Sequence, residues 1–166
     1  MTGFVKTADI LSGKFEDGAE VKIRGWIYNS RSSGGIQFLE LRDGAGVIQC
    51  TLNKRKVGEE TFDKVEKFPL ETSIELMCNV KEDSRAPGGW EVRVNSIGNV
   101  FVSHLNYPIV KKEQGIEFLM DNRHLYIREP KLQNIFHIRA KFLEAARDYF
   151  KNNGYTEVQT LSLIHI

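Results

Sequence analysis

A small all-β barrel of five strands with one inserted helix, followed by a linker and a single long α-helix, is the fold this sequence predicts. Three observations predict it. Five runs alternate apolar and polar residues with a period of two, as half-buried strands do. One short run with helical spacing interrupts them between the third and the fourth. Beyond residue 128 the period changes to that of a helix and stays there for more than twenty residues.

The elements follow in order. Residues 1–20 are a lead-in, with one helical turn at Thr7–Leu11 stopped at Gly13 and a turn signal at Glu16-Asp17-Gly18. In 21–29, Val21, Ile23, Gly25 and Ile27 share one parity and Lys22, Arg24, Trp26 and Tyr28 the other. Gly25 inside this run predicts a bulge or a bend. The Ser- and Gly-rich stretch 30–35 reads as a loop that carries Arg31. Strand 36–42 sets Leu39 and Leu41 against Ile36, Phe38, Glu40 and Arg42, and Asp43-Gly44-Ala45-Gly46 turns the chain. In 47–52, Ile48, Cys50 and Leu52 oppose Val47, Gln49 and Thr51. After a polar link, Phe62, Val65 and Phe68 mark a short amphipathic helix that Pro69 ends. Residues 73–81 and 90–101 are the last two strands, with Lys81, Glu91, Arg93 and Asn95 on outward positions, joined through a turn at Pro87-Gly88-Gly89. Three strands, a helix and two strands is the order of the OB-fold, a small barrel that binds oligonucleotides on one face.

The second half reads differently. Residues 102–128 are expected to be an extended linker, and 131–153 one helix with Pro130 at its start, an apolar stripe from Leu132 to Phe150 and Gly154 as its cap. At 1.5 Å per residue that helix is roughly 35 Å long. The organisation expected is therefore a barrel domain at 1–101, a linker at 102–128 and the opening of a second domain at 129–160.

Composition bounds the function. The 166 residues are 41% hydrophobic and 27% charged, with a net charge of +1. Residues 1–101 hold 14 Lys and Arg against 15 Asp and Glu, so a nucleic-acid reading must rest on local pattern rather than on bulk charge. Cys50 and Cys78 sit in alternating apolar runs and read as core residues of a protein in a reducing compartment. His104, His124 and His137 are scattered, which argues against metal ligation. No apolar run approaches the roughly 20 residues of a membrane span, and the N-terminus has no signal-peptide plan, so a cytoplasmic protein is expected. Glu117, Asp121 and Glu129 form no acid–base pair, and no nucleophile or phosphate-loop motif occurs, so no catalytic residue is assigned.

The chemistry that the pattern does offer lies on the outward face of the barrel. Phe38 there is either a stacking platform for a base or rim packing under a loop. Gln49 carries an amide with both donor and acceptor, able to read a Watson–Crick edge. Arg31 could clamp a phosphate or stack. Lys81 and Glu91 belong individually to a solvated face, and adjoining strands bring these positions towards one patch. Trp26 and Tyr28 are expected to pack under the linker or the following domain.

The stretch GWIYNSRSSGGIQFLELRDGAGVIQC, with YPIVKKEQGIEFLMDNRHLYIREPKLQNIFHIRAKFLEAARDYFKNNGYTEVQT after it, resembles the asparaginyl-tRNA synthetase family, of class II, subclass b. The resemblance covers residues 11–160. It implies an anticodon-binding OB domain in which Phe38 stacks on the central anticodon uridine, Gln49 hydrogen-bonds that base and Arg31 contacts the anticodon stem-loop. Lys81 and Glu91 fall where the family contacts the flanking bases. The long helix with GYTEVQT resembles class II motif 1, which implies a homodimer in the full-length enzyme. That enzyme is expected to activate asparagine with ATP and Mg²⁺ and charge tRNA. Motifs 2 and 3 are absent from this chain, so the chain alone is expected to be inactive; asparagine-dependent ATP–pyrophosphate exchange by it would contradict this. The alternatives are the N-terminal region of an aspartyl-tRNA synthetase, or a stand-alone OB module for tRNA or single strands. The tail LSLIHI departs from motif 1, where Pro follows the position of Thr160, and matches one reading frame of a common transposase adapter. Residues 161–166 are therefore expected to be non-native, and the same codons in independently cloned genomic DNA would contradict that.

Overall fold

Alternation becomes a closed sheet. In the computed structural model, which describes residues 3–104, 107–109 and 114–158, five strands pair in the order β1-β2-β3-β5-β4 and close on themselves. They are β1 (Glu20–Ser33), β2 (Ile36–Arg42), β3 (Val47–Asn53), β4 (Ser73–Glu82) and β5 (Trp90–Phe101). All neighbours are antiparallel except β3 and β5, which run parallel through Gln49↔Glu91, Cys50↔Val92 and Thr51↔Arg93. This is the OB topology that the element order predicts.

The inward parity fills the barrel. Ile23, Ile27, Leu39, Leu41, Cys50, Leu52, Leu76 and Val92 are fully enclosed. One end is covered by α3 (Glu59–Glu66), which inserts Phe62 and Val65 into the core, with Phe68 packed beside them. The other elements of the lead-in and link are α1 (Thr7–Leu11) and α2 (Lys54–Val57). Asn53 caps α2 by accepting from the Arg55 amide at 2.9 Å, so the polar link of the sequence reading is a helical turn. Asp43 ties α1 to the β2–β3 turn: its carboxylate accepts from the amide and hydroxyl of Thr7 at 2.8 and 2.7 Å, and from the amides of Ala45 and Gly46. Burial pushes the Asp43 carboxyl up, but these donors outweigh it and hold it below the usual carboxylate range. Cys50 and Cys78 are buried free thiols; burial raises both, Cys78 to about 12, so neither carries reactive thiolate at neutral pH.

Three local expectations need correction. Residues 30–33 are not loop: β1 continues to Ser33, because Gly34 and Gly35, at φ +59° and +78°, make a two-residue hairpin turn directly before Ile36. Arg31 is thus a strand residue opposite Phe38. The irregularity in β1 falls between Ile27 and Asn29, not at Gly25. Gly25 is needed for a different reason, since a Cβ there would lie 2.3 Å from the Arg42 carbonyl oxygen. Residues 102–128 are not extended throughout: α4 (Ile116–Asp121) and α5 (Arg123–Tyr126) occupy the stretch IEFLMDNRHLY, whose Glu, Leu and Met favour helix once the chain has passed Gly115.

By its contacts the chain divides into two compact units, residues 1–107 and 108–166. In the second, α6 (Pro130–Asn152) has Pro130 in its first turn, and the Glu129 carboxylate caps it by accepting from the Leu132 amide. The α6 stripe is uncovered, with Ile135, Phe136, Ile138, Phe142, Leu143, Tyr149 and Phe150 all exposed. Beyond Gly154, Tyr155 packs edge-on against Phe150 at 5.5 Å. Residues 159–166, and with them the tail expectation, lie outside the described residues.

Candidate nucleic-acid interface

The outward parity of β1, β2, β3 and β5 walls a cleft of about 980 Å³. Arg31 enters it from β1, Ile36 and Phe38 from β2, and Gln49, Thr51 and Asn53 from β3. Arg55 and Lys56 of α2 rim one side, and Asp83 and Arg85 of the β4–β5 loop the other, with Glu91, Arg93 and Val94 of β5 between them.

Register places the aromatic among its partners. Phe38 stands opposite Arg31 on β1 and opposite Thr51 on β3. The Arg31 guanidinium lies 4.8 Å from the centre of the Phe38 ring, a cation–π contact across strands. Gln49 is two residues along from Thr51 on the same face and is the ladder partner of Glu91. Phe38 and Gln49 are both half-buried on the cleft wall, neither turned into the barrel.

The deepest polar group is Glu91, only 6% exposed. Its carboxylate accepts from Gln49 Nε2 at 3.1 Å, from Thr51 Oγ1 at 2.9 Å and from Arg93 Nε at 3.5 Å. The solvated-face reading of Glu91 is therefore wrong in its burial, because two of its three donors come from β3, a strand distant in sequence. At the rim, Asp83 accepts from Arg85 Nε at 3.0 Å and Nη2 at 2.7 Å, and that hydrogen bond from Arg85 holds the Asp83 carboxyl far below the usual range. Lys56 of α2 hydrogen-bonds the Asn95 side chain, which in turn bonds Asn79.

Local charge departs from the bulk. Five basic side chains line the cleft against two carboxylates, one buried and one held by Arg85. That is a basic surface which the overall charge of +1 conceals. Arg31, Phe38, Gln49 and Glu91 converge as the sequence anticipates. Lys81 does not line the cleft: its ammonium sits 2.8 Å from Asp17 Oδ2 in the lead-in turn. Thr51 and Arg93 were not singled out as site residues, although their outward parity alone would have found them. Arg55, Lys56 and Arg85 depend on loop and cap geometry that no periodicity carries. Trp26 is 45% exposed, and the Tyr28 ring lies 5.3 Å from the Arg42 guanidinium carbon. Among the described residues no group of His, Cys, Asp and Glu gathers that could hold a metal ion, and no helix is long and apolar enough to cross a membrane.

Comparison with known proteins assigns the two segments to families. Residues 21–100 match the tRNA anticodon family described as an OB-fold nucleic acid binding domain, and residues 115–166 match the class II tRNA synthetases for D, K and N. The second match includes α4 and α5. Fold and cleft together define the class: an anticodon-type OB domain joined to the opening of a class II aminoacyl-tRNA synthetase domain. Among relatives, the asparagine–tRNA ligase of Thermoplasma acidophilum is 41% identical over 90% of this chain and 34% of its own length. That of Desulforamulus reducens is 43% identical over 89% of this chain and 34% of its own length. The crystal structure of asparaginyl-tRNA synthetase from Pyrococcus horikoshii complexed with asparaginyl-adenylate superposes with a TM-score of 0.84 at 35% identity, covering 96% of this chain and 36% of that one. Over about nine tenths of its length the chain is homologous to asparagine–tRNA ligases, and it spans about a third of the length of these relatives.

Proposed function

We propose that the cleft binds the anticodon loop of a tRNA, and that the chain serves this role within a ligase joining asparagine to that tRNA. The observation that carries the reading is the convergence of Arg31, Phe38 and Gln49 on one basic cleft. Phe38 offers a ring to the central anticodon uridine, and Gln49 an amide to its edge. Arg31, Arg93 and the rim cations Arg55, Lys56 and Arg85 supply charge for the phosphates on either side. Lys81 contributes only by reorienting away from Asp17. The reading favours asparagine over aspartate because the relatives that cover most of this chain at about 40% identity are asparagine–tRNA ligases.

ATP and Mg²⁺ enter the reaction of the complete protein, and no residue of this chain is assigned to them. The exposed α6 stripe is the surface through which two copies would pair in that protein, in cytoplasm. Neither point bears on the cleft, which can be tested directly. The 166-residue chain should bind an anticodon stem-loop with a central uridine more tightly than the same loop with a central purine. The affinity should weaken as salt rises, because phosphate contacts release counterions. Equal binding to all loops would instead favour a general single-strand binder.

A further inference from the structure

A glutamine side chain is nearly symmetric to a pyrimidine. Its carbonyl and one N–H can take the N3–H donor and O4 acceptor of uridine. Turned over, the same two groups take the N3 acceptor and N4 donor of cytidine. An amide free to turn therefore reads both bases, and something else must decide which way it faces. In this cleft that something is visible. Gln49 faces the carboxylate of Glu91, which can only accept, so the nitrogen must point to β5 and the oxygen away from it. The carboxylate is itself held, by Thr51 Oγ1 on the same oxygen and by Arg93 Nε on the other, at 2.9 and 3.5 Å. With Glu91 6% exposed, water does not compete freely for it.

We propose that Glu91 is a positioning residue that fixes the orientation of the Gln49 amide and thereby makes the cleft discriminate between uridine and cytidine. One N–H of Gln49 stays on Glu91; the other, together with the carbonyl oxygen, faces the base in a fixed order. With the base held flat on Phe38, only one pyrimidine meets that order. This inference rests on the uridine reading above and adds to it the residue that enforces it. It assigns Glu91 a part played through Gln49 and not through contact with a base of its own.

The test uses two stem-loops that differ only in a central U or C, bound to the 166-residue chain and its variants. Wild type should prefer U by roughly five- to 150-fold, the range of one bidentate base contact. Glu91→Gln keeps size and hydrogen bonding but presents either a donor or an acceptor to Gln49, so both amide orientations become available. The U-to-C ratio should fall to within about threefold, mainly by a gain for the C loop. Glu91→Asp, which draws the carboxylate back by one methylene, should lower the ratio too, and serves if the first variant does not fold. In a Gln49→Ala background, Glu91→Gln should leave the ratio unchanged, since the amide it positions is gone. A purely structural role would lower affinity for both loops alike, and that result overturns the inference. If wild type discriminates, Gln49→Ala abolishes the discrimination and both Glu91 variants keep it, the uridine reading stands and this inference fails alone. If wild type binds both loops equally, the two fail together.

Discussion

Glu71→Ala is expected to remove roughly 3–5 kcal/mol of stability. Glu71 forms a bidentate pair with Arg42 Nη2, its oxygens at 2.8 and 2.7 Å, and the two side chains are 7% and 10% exposed. The pair joins the segment after α3 to the last residue of β2. Backbone bonds from Glu71 N to Ile27 O at 2.8 Å and from Ile27 N to Thr72 O at 3.0 Å lie beside it. Truncating Glu71 leaves a guanidinium enclosed without its counter-charge, and Arg42 Nη1 already lacks a hydrogen-bond partner among the described residues. Backbone strain separates two variants. Glu71 is at φ +65°, which a Cβ makes unfavourable by about 1–2 kcal/mol, so Glu71→Ala keeps the strain while Glu71→Gly relieves it. Both should lower the melting temperature, Glu71→Gly less. Replacing both partners, as Arg42→Met with Glu71→Met, should lie closer to wild type than either single change, because no charge is left unpaired. Thermal melts of the five variants check the order. A Glu71→Ala protein that melts with wild type would show the pair to be energetically idle.

That pair also marks where sequence stops being legible. Arg42 and Glu71 are 29 residues apart, and nothing in either local pattern predicts the meeting. Parity, by contrast, reaches the cleft: Phe38 and Gln49 stand out because they break an otherwise charged face, and both line it. The failures have physical causes. Ser30–Ser33 looks like loop by composition, but the strand ends only where the backbone must take positive φ, at Gly34 and Gly35. Gly25 suggests a bulge by its missing side chain, whereas the space it leaves is filled by the carbonyl of Arg42. Glu91 reads as solvated because its burial is made by Gln49 and Thr51, partners brought in by the one parallel pairing in the sheet. Residues 116–126 read as extended because Pro108 and the Lys-Lys-Glu run dominate the composition. The helices start only after them.

Phe38→Ala is expected to weaken stem-loop binding by roughly five- to 30-fold. A base stacked on an aromatic side chain is worth about 1–3 kcal/mol by alanine substitution. Here the upper end must be discounted. In the free chain Arg31 already lies 4.8 Å from the ring centre, and an exposed cation–π contact is worth about 0.5–1 kcal/mol. A base taking that face must displace the guanidinium, so the net loss on deleting the ring is nearer 1–2 kcal/mol. Stacking is indifferent to base identity, so the affinity should fall in similar proportion for loops with central U, C, A or G. Gln49→Ala should do the opposite, costing less in affinity for mismatched loops and erasing the preference among them. Arg31→Ala separates the two roles of the guanidinium. If its main part is to occupy the ring, removal should leave both affinity and salt dependence near wild type. If its main part is to hold phosphate, affinity should fall and the salt slope should drop by about one contact's worth. Phe38 is half-buried on the cleft wall, outside the core cluster, so its removal should leave the melting temperature little changed. Binding that survives Phe38→Ala undiminished for every loop would place the nucleic acid on some other face of the barrel.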